Sequence, residues 1–383
     1  MVGTPRRVTT PGPGPRTPPT RGVRRIGRPS GRTPMNDSFS AALERSAAIE
    51  ARIATHPHEL RMLTGDRPTG ALHIGHYFGS IRNRLRLQEA GVEILQLIAD
   101  YQVITDREVA GDIRGNVHHL LLDNLASGLD PERSTIFTHS AVPALNQLLL
   151  PFLSLVSVAE LQRNPTVKDE AATAGITSIS GLMLTYPVHQ AADILFCKAT
   201  VVPVGKDQLP HIEQTRVVAR RFNERYGATF PEPGALLSEA THVLGTDGTK
   251  MSKSKGNTVE LRMSADETAK RIKGAKTDSD RHITFDPEQR PEVANLLTLA
   301  SLCEGTDPVL IAEEIGDGGG GGLKKRVTEA VNTYFAPLRE RRAELAADPG
   351  FVDGVLRTGN ERANEIAEAT LAEVRSAMGM TYP

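Results

Sequence analysis

From Leu60 onward the chain alternates between short apolar runs and longer segments in which apolar residues return every three or four positions. The run LRMLT at 60–64 predicts a buried strand. The loop GDRPTGAL after it leads into a segment whose apolar positions Ile74, Tyr77, Phe78, Ile81 and Leu85 keep helical spacing as far as Gly91. VEILQLIAD at 92–100 reads as a second buried strand, IRGNVHHLLLDNLASGL at 113–129 as a helix and STIFTHS at 134–140 as another strand. ATVVPVG at 199–205 then feeds the loop GKDQ and the helix LPHIEQTRVVARRFNERYG. Such βα alternation implies a parallel sheet covered by helices. The expected fold class is α/β, a Rossmann-like doubly wound sheet whose ligand site lies at the carboxyl ends of the strands. Beyond about residue 265 strand signals vanish, and LKKRVTEAVNTYFAPLRERRAELAA and GNERANEIAEATLAEVRSAMG are helical, which predicts a C-terminal all-α domain. Five consecutive glycines, Gly318 to Gly322, have no strand before them and read as a flexible connection between helices.

Composition sets the outer limits. A chain of 383 residues that is 39% hydrophobic and 24% charged suggests two domains with ample core. The expected divisions are a leader at 1–34, an N-terminal helical segment at 35–59, a catalytic domain at 60–265 and the helical domain at 266–383. The leader is dense in Pro, Gly and Arg and lacks Asp, Glu, Lys, Leu, Phe, Tyr and Trp, so it cannot offset its own ordering entropy and is expected to be disordered. Its Pro and Gly content also argues against an amphipathic transit peptide. A net charge of −1 leaves no strong overall field for DNA or a membrane, so any RNA contact must come from a local basic patch. Two cysteines, Cys197 and Cys303, lack CxxC spacing, which argues against a zinc site or a disulfide framework and fits a cytoplasmic protein.

Two motifs carry chemistry. The first is HIGH, in which His73 and His76 stand three apart at the predicted strand-to-helix turn, bracketed by glycines. Three readings compete: a metal pair, two structural histidines, and a phosphate site. No Cys or carboxylate lies near enough in sequence to complete a metal set, so no metal is expected. The free N–H groups and dipole of a helix start favour an anion. The second is KMSKS, within GTDGTKMSKSKGNTVEL, which packs Lys250, Met251, Ser252, Lys253, Ser254 and Lys255 into one loop. Closely spaced lysines and hydroxyls suit a mobile loop that clamps a polyphosphate by point charges.

HIGH together with KMSKS resembles the class I aminoacyl-tRNA synthetases, and the residues between them are similar to the tryptophanyl branch. The likeness includes TGDRPTG at 64–70, GLMLTYPVHQAADIL at 181–195, VPVGKDQLPHIEQTR at 202–216, KTDSD at 276–280 and RPEVANLL at 290–297. The tyrosyl branch, which shares the fold and related loops, is the alternative, as is a non-catalytic paralogue that binds tryptophan or ATP. The resemblance implies ATP and Mg²⁺ as cofactors, L-tryptophan and tRNA(Trp) as partners, and a homodimer. It places Arg67, Pro68, Thr69, Gly75, His76, Gly205, Lys206, Asp207, Val243, Lys250, Met251, Ser252, Lys253 and Ser254 on the ATP side. His73, His76, Lys250, Ser252 and Lys253 would be catalytic, and Lys168 would lie near the phosphates. Asp193 would accept the indole N–H, with Tyr186, Gln190, Gln208 and Gln102 around tryptophan. Four positions depart from the common bacterial pattern: Arg67 stands for Gln, His76 for Asn, Gln102 for His and Gln190 for Met. The last two raise the expectation of an inhibitor-tolerant form, as does a chain with no tryptophan of its own. Arg339, Arg341 and Arg342 read either as tRNA contacts or as a solvated helix face.

Overall fold

A computed structural model of the chain describes residues 3, 35–105, 111–165, 167–168, 179–237, 243–252 and 255–382. Apart from Gly3, the expected leader lies outside these residues, and so do Lys253 and Ser254. The described strands are β1 (Arg61–Asp66), β2 (Glu93–Ile98), β3 (Ser134–Thr138), β4 (Val201–Val204) and β5 (Gly234–Leu237). They form one sheet in the order β3-β2-β1-β4-β5, with every pairing parallel. The chain builds outward from β1 to β3, then returns to lay β4 and β5 on the other side of β1. That reversal between β1 and β4 makes the sheet doubly wound, as expected, and opens a crevice at the carboxyl ends of the two strands.

Period-two alternation divides the apolar side chains between two faces. Met62, Ile94, Ile98, Ile136, Val201 and Leu236 join one core cluster, and Leu63, Leu95, Leu97, Phe137, Val202 and Ala235 join the other. Both faces are covered, which is why the strands carry apolar runs with little polar alternation. The strand β5 has no signal of its own in GALL. Its extended form comes from its register on β4, where Val201 pairs with Gly234 and Val204 with Leu237.

The helices that follow β1, β2 and β4 start and stop near the expected places. Helical turns at Ile74–His76 and Arg82–Ala90 flank a π turn at Tyr77–Ile81, and later helices span Ile113–Ser127 and Leu209–Tyr226. Beyond residue 265 come helices Ala265–Lys273, Pro291–Glu304, Pro308–Ile315, Gly319–Ala346 and Pro349–Ala377. The glycine run is not a loose connection. Gly316–Gly318 form a 3-10 turn and Gly319 to Gly322 are the first turn of the Gly319–Ala346 helix. Gly319 bends with φ 64°, and a Cβ on Gly320 would stand 2.9 Å from Thr277 Oγ1, so glycine is what lets this helix start against the 277–281 segment.

The arginines of that helix also turn out differently from a solvated face. Arg342 Nε donates to the fully buried Asp123 at 2.6 Å, and Arg339 donates to Asn332 and Thr268 at 2.8 and 2.9 Å. Only Arg341 of the three is exposed. The Pro349–Ala377 helix returns to the sheet and covers the edge strand β3. Asn360 Oδ1 accepts the backbone N–H of Thr138 at 3.0 Å, which satisfies a group that an open edge would expose.

Contact at this edge is backbone to backbone: a Cβ on Gly359 would overlap the Ile136 carbonyl oxygen, whereas Gly354 on the same helix has open space around it. Gly359→Ala should therefore destabilise the protein by about 3 kcal/mol through overpacking, and Gly354→Ala should be neutral or stabilise by up to about 1 kcal/mol. Urea denaturation of the two variants checks this, and equal midpoints would contradict the close packing.

Candidate active site

The crevice at the switch point holds a cavity of about 460 Å³. Thr64 to Asp66 at the end of β1, Leu97 and Ala99 at the end of β2, and Val202 to Gly205 at the end of β4 all line it. Of the residues expected from the sequence, Arg67, Thr69, His76, Gln102, Tyr186, Gln190, Asp193, Gly205 and Gln208 meet on its wall.

Arg84 anchors the β1 side. Its guanidinium is 1% exposed and donates to Asp66 at 3.1 Å, Thr64 Oγ1 at 3.2 Å and Asn124 Oδ1 at 2.5 Å. Gln96 Nε2 donates to the same Asp66 oxygen at 3.0 Å. From this anchored end the loop runs to His73, which is extended and starts the helix. The backbone N–H of His73 donates to His76 Nδ1 at 3.1 Å, the His76 N–H donates to the His73 carbonyl at 2.8 Å, and the two rings lie 3.7 Å apart. The His76 imidazole thus folds back on the start of its own helix, with His76 on the cavity wall and His73 buried behind it. A Cβ on Gly75 would stand 3.0 Å from His73 Nδ1 and 3.4 Å from Met251 Sδ, so a side chain there would press on both motifs.

Met251 reaches Gly75 because the strand-like exit of the KMSKS loop is tied to the HIGH loop. Ile74 N–H donates to Val259 O at 3.0 Å, and Leu261 N–H donates to Leu72 O at 2.9 Å. Within the loop, Asn257 is buried and acts as the hub. Its amide donates to Asp247, Thr249 and the Lys250 carbonyl at 2.8, 3.2 and 3.1 Å, and its Oδ1 accepts the Ser252 N–H at 2.8 Å. Lys250 is exposed on this framework.

On the β4 side Lys206 lies 4.4 Å over the ring of Phe39 in the Met35–Thr55 helix, and Asp207 accepts from Gln208 at 3.0 Å. Pro68 and Val243 are buried and Lys168 is exposed, and none of the three lines the cavity.

Asp193 lies at the base of the cavity on the Gly181–Leu195 helix, 2% exposed. One carboxylate oxygen accepts from His139 Nε2 at 2.8 Å, and the other lies 3.5 Å from Gln102 Nε2. Burial disfavours the charged form of His139, but the charge and hydrogen bond of Asp193, with Asp100 beyond, outweigh it and raise the pKa. For His189, whose ring is 4.7 Å from that of His139, burial prevails and the pKa falls. Ligand atoms of His139, His189 and Asp193 lie within 4.8 Å of one another. Hydrogen bonds engage two of these groups with each other, His139 Nε2 with Asp193 Oδ1, and the third with Asn146, His189 Nε2 lying 2.8 Å from its Oδ1.

His139, His189, His211 and Asn257 are the site residues the sequence reading missed. The signal for His139 was its position just past a predicted strand, at the end where ligands bind. Nothing in LPHIEQ separates His211 from an ordinary helix residue.

A family model described as tRNA synthetases class I (W and Y) matches residues 55–336. The tryptophan–tRNA ligase of Clostridium longisporum is 42% identical over 331 residues, covering 84% of this chain and 97% of that protein. That of Treponema pallidum is 40% identical over 329 residues with the same shares. The solved structure of tryptophanyl-tRNA synthetase from Campylobacter jejuni, complexed with ADP and tryptophan, is similar with a TM-score of 0.74 and 32% identity, covering 84% of this chain and 100% of that one. This chain belongs to the class I tRNA synthetase family that holds the tryptophan and tyrosine enzymes.

His211 supplies a test of the site's electrostatics. It is 1% exposed, its Nε2 is 3.4 Å from Tyr186 Oη, and burial lowers its pKa from 6.5 to about 4 against a weaker pull from Asp207. Between these values the unfolded chain binds the extra proton. The stabilising contribution of neutral His211 is therefore complete above pH 6.5 and is lost as the pH falls toward 4. The slope is at most about 1.4 kcal/mol per pH unit. His211→Gln should lose less stability than the parent between about pH 7 and pH 5. Urea midpoints at the two pH values check this, and parallel losses in both proteins would refute it.

Proposed function

We propose that this chain is a tryptophan–tRNA ligase, which activates L-tryptophan with ATP to tryptophanyl-adenylate and then transfers it to tRNA(Trp). The observation that carries the reading is one cavity at the switch point of the sheet. At one end it has the HIGH helix start, strapped to the KMSKS loop, and at the other a buried carboxylate. Activation is an in-line attack of the amino-acid carboxylate on the α-phosphorus, with pyrophosphate leaving. The nucleophile is already anionic, so the protein supplies position and charge stabilisation and no general base. His76 on the wall, with His73 capping the same turn, would donate to phosphoryl oxygens. Lys250, Ser252 and Lys253 would hold the departing pyrophosphate. Arg67, Pro68, Thr69, Gly75, Gly205, Lys206, Asp207, Val243, Met251 and Ser254 complete the ATP side in this reading.

The acids on the cavity wall do not suit Mg²⁺, since Asp66 is engaged by Arg84 and Gln96, and Asp193 by His139. The ion would be held by phosphate oxygens and water, where it neutralises charge on the leaving group. At the other end Asp193 would accept the indole N–H among Tyr186, Gln190, Gln208 and Gln102. A buried acceptor rejects side chains that leave it unpaired far better than an apolar slot rejects a wrong shape. Gln102 and Gln190 both stand on this wall, where they would reduce the fit of inhibitors shaped for His and Met. The reading further takes 60–265 as the catalytic domain and 266–383 as the anticodon-binding domain of a cytoplasmic homodimer. Among the described residues no helix is long and apolar enough to cross a membrane.

Pyrophosphate exchange measured with each of the twenty amino acids should proceed with tryptophan alone. Tyrosine-dependent exchange would overturn the reading. Asp193→Ala should narrow the preference for tryptophan over phenylalanine and tyrosine by about 2–4 kcal/mol. Lys253→Ala should slow activation by roughly a hundredfold with little change in the KM for tryptophan.

A further inference from the structure

The Asp193 carboxylate is useful as an indole acceptor only if one oxygen faces the cavity with its lone pair free, and a carboxyl group on a single bond does not hold that orientation by itself. His139 does not line the cavity and is 0% exposed, yet its Nε2 is 2.8 Å from Asp193 Oδ1. The ring is itself held on two sides, and its backbone is tied as well. Tyr101 lies nearly parallel to it at 14° with centroids 6.1 Å apart, and His189 is tilted against it at 4.7 Å. The backbone carbonyl of His139 accepts from Asn146 Nδ2 at 3.0 Å.

Asn146 extends the chain of constraint. Its amide nitrogen donates to the carbonyls of His139 and Val142, so its Oδ1 must be what meets His189 Nε2 at 2.8 Å. His189 is therefore the donor there, with its proton on Nε2. His189 and Asp193 are one turn apart on the same helix, so Asn146 couples the backbone of His139 to the helix that carries Asp193. A carboxylate pinned through Oδ1 presents Oδ2 on the side of Gln102, which is a cavity residue.

We infer that His139 is a positioning residue for tryptophan. It fixes Asp193 through one oxygen so that the other is offered to the indole N–H, and it sets amino-acid selectivity without touching substrate. This rests on the reading of Asp193 as the indole acceptor. The imidazole Nε2 matches the amide nitrogen of glutamine in reach, whereas the amide nitrogen of asparagine matches Nδ1 and falls short of Asp193.

The test compares His139→Gln with His139→Asn in steady-state pyrophosphate exchange. Asp193→Ala is run in parallel, with tryptophan, phenylalanine and ATP varied in turn. His139→Asn should raise the KM for tryptophan by about tenfold and cut the preference over phenylalanine by a similar factor, with kcat and the KM for ATP within about twofold. His139→Gln should keep the KM for tryptophan within about threefold of the parent. If His139→Asn does not fold, His139→Leu, which fills the space and has no donor, takes its place. Equal effects of His139→Gln and His139→Asn, or of His139→Gln and His139→Leu where that replaces it, on tryptophan would overturn the inference. So would parallel losses in kcat and ATP binding, because a merely structural role predicts them. If Asp193→Ala keeps the parental KM for tryptophan, it is the acceptor role of Asp193 that fails; if Asp193→Ala raises it while the His139 variants agree with each other, only the role of His139 fails.

Discussion

A guanidinium buried at the carboxyl end of β1 is the constraint from which the site is built. Arg84 comes from the helix after β1, and it meets Asp66 and Thr64 on that strand and Asn124 on the helix before β3. Taking such a charge out of water is costly, and the cost is offset only when opposite charge and hydrogen bonds surround it; the loss of a single partner would leave it uncompensated. Two helices and one strand end are thereby held in one relation. The loop that leaves β1 at Asp66 starts from a rigid point, and so does the helix start at His73 to which it leads.

In the proposed reading, two segments nearly two hundred residues apart act on one ligand. Backbone hydrogen bonds from Ile74 to Val259 and from Leu261 to Leu72 join them as a short two-sided strap. Asn257 then directs both its amide nitrogen and its Oδ1 into the loop. The exit of the KMSKS loop is thus fixed, while Lys250 remains exposed at its start. A loop with one rigid end and charged residues before it suits a clamp that must close on a polyphosphate and let it go.

The amino-acid end follows a different logic. There the groups are buried and neutral or paired: His211 against Tyr186, His189 against Asn146, and His139 against Asp193. Low local dielectric strengthens each of these contacts and makes any unmade one costly. In the proposed reading this place selects a side chain with a single N–H donor, because a ligand that lacks the donor strands a buried acceptor.

Much of this was legible from the residues in order. The apolar runs of β1 to β3 and the 3.6-residue spacing after them depend on local geometry, so they specified a parallel α/β sheet and the end of it where ligands bind. HIGH and KMSKS mark their chemistry by residue type alone. What needed the folded chain were the features made by contacts between distant segments. GALL became β5 only by pairing with β4, and the glycine run became a helix start set so close to Thr277 that a Cβ on Gly320 would crowd it. Arg339 and Arg342 turned inward to Thr268 and Asp123. His139, some fifty residues before Asp193, became its partner because β3 and the Gly181–Leu195 helix end side by side. Local sequence determines which elements form and which chemistry they carry; which polar groups meet is decided by packing, since a buried donor and acceptor must find each other wherever the fold brings them.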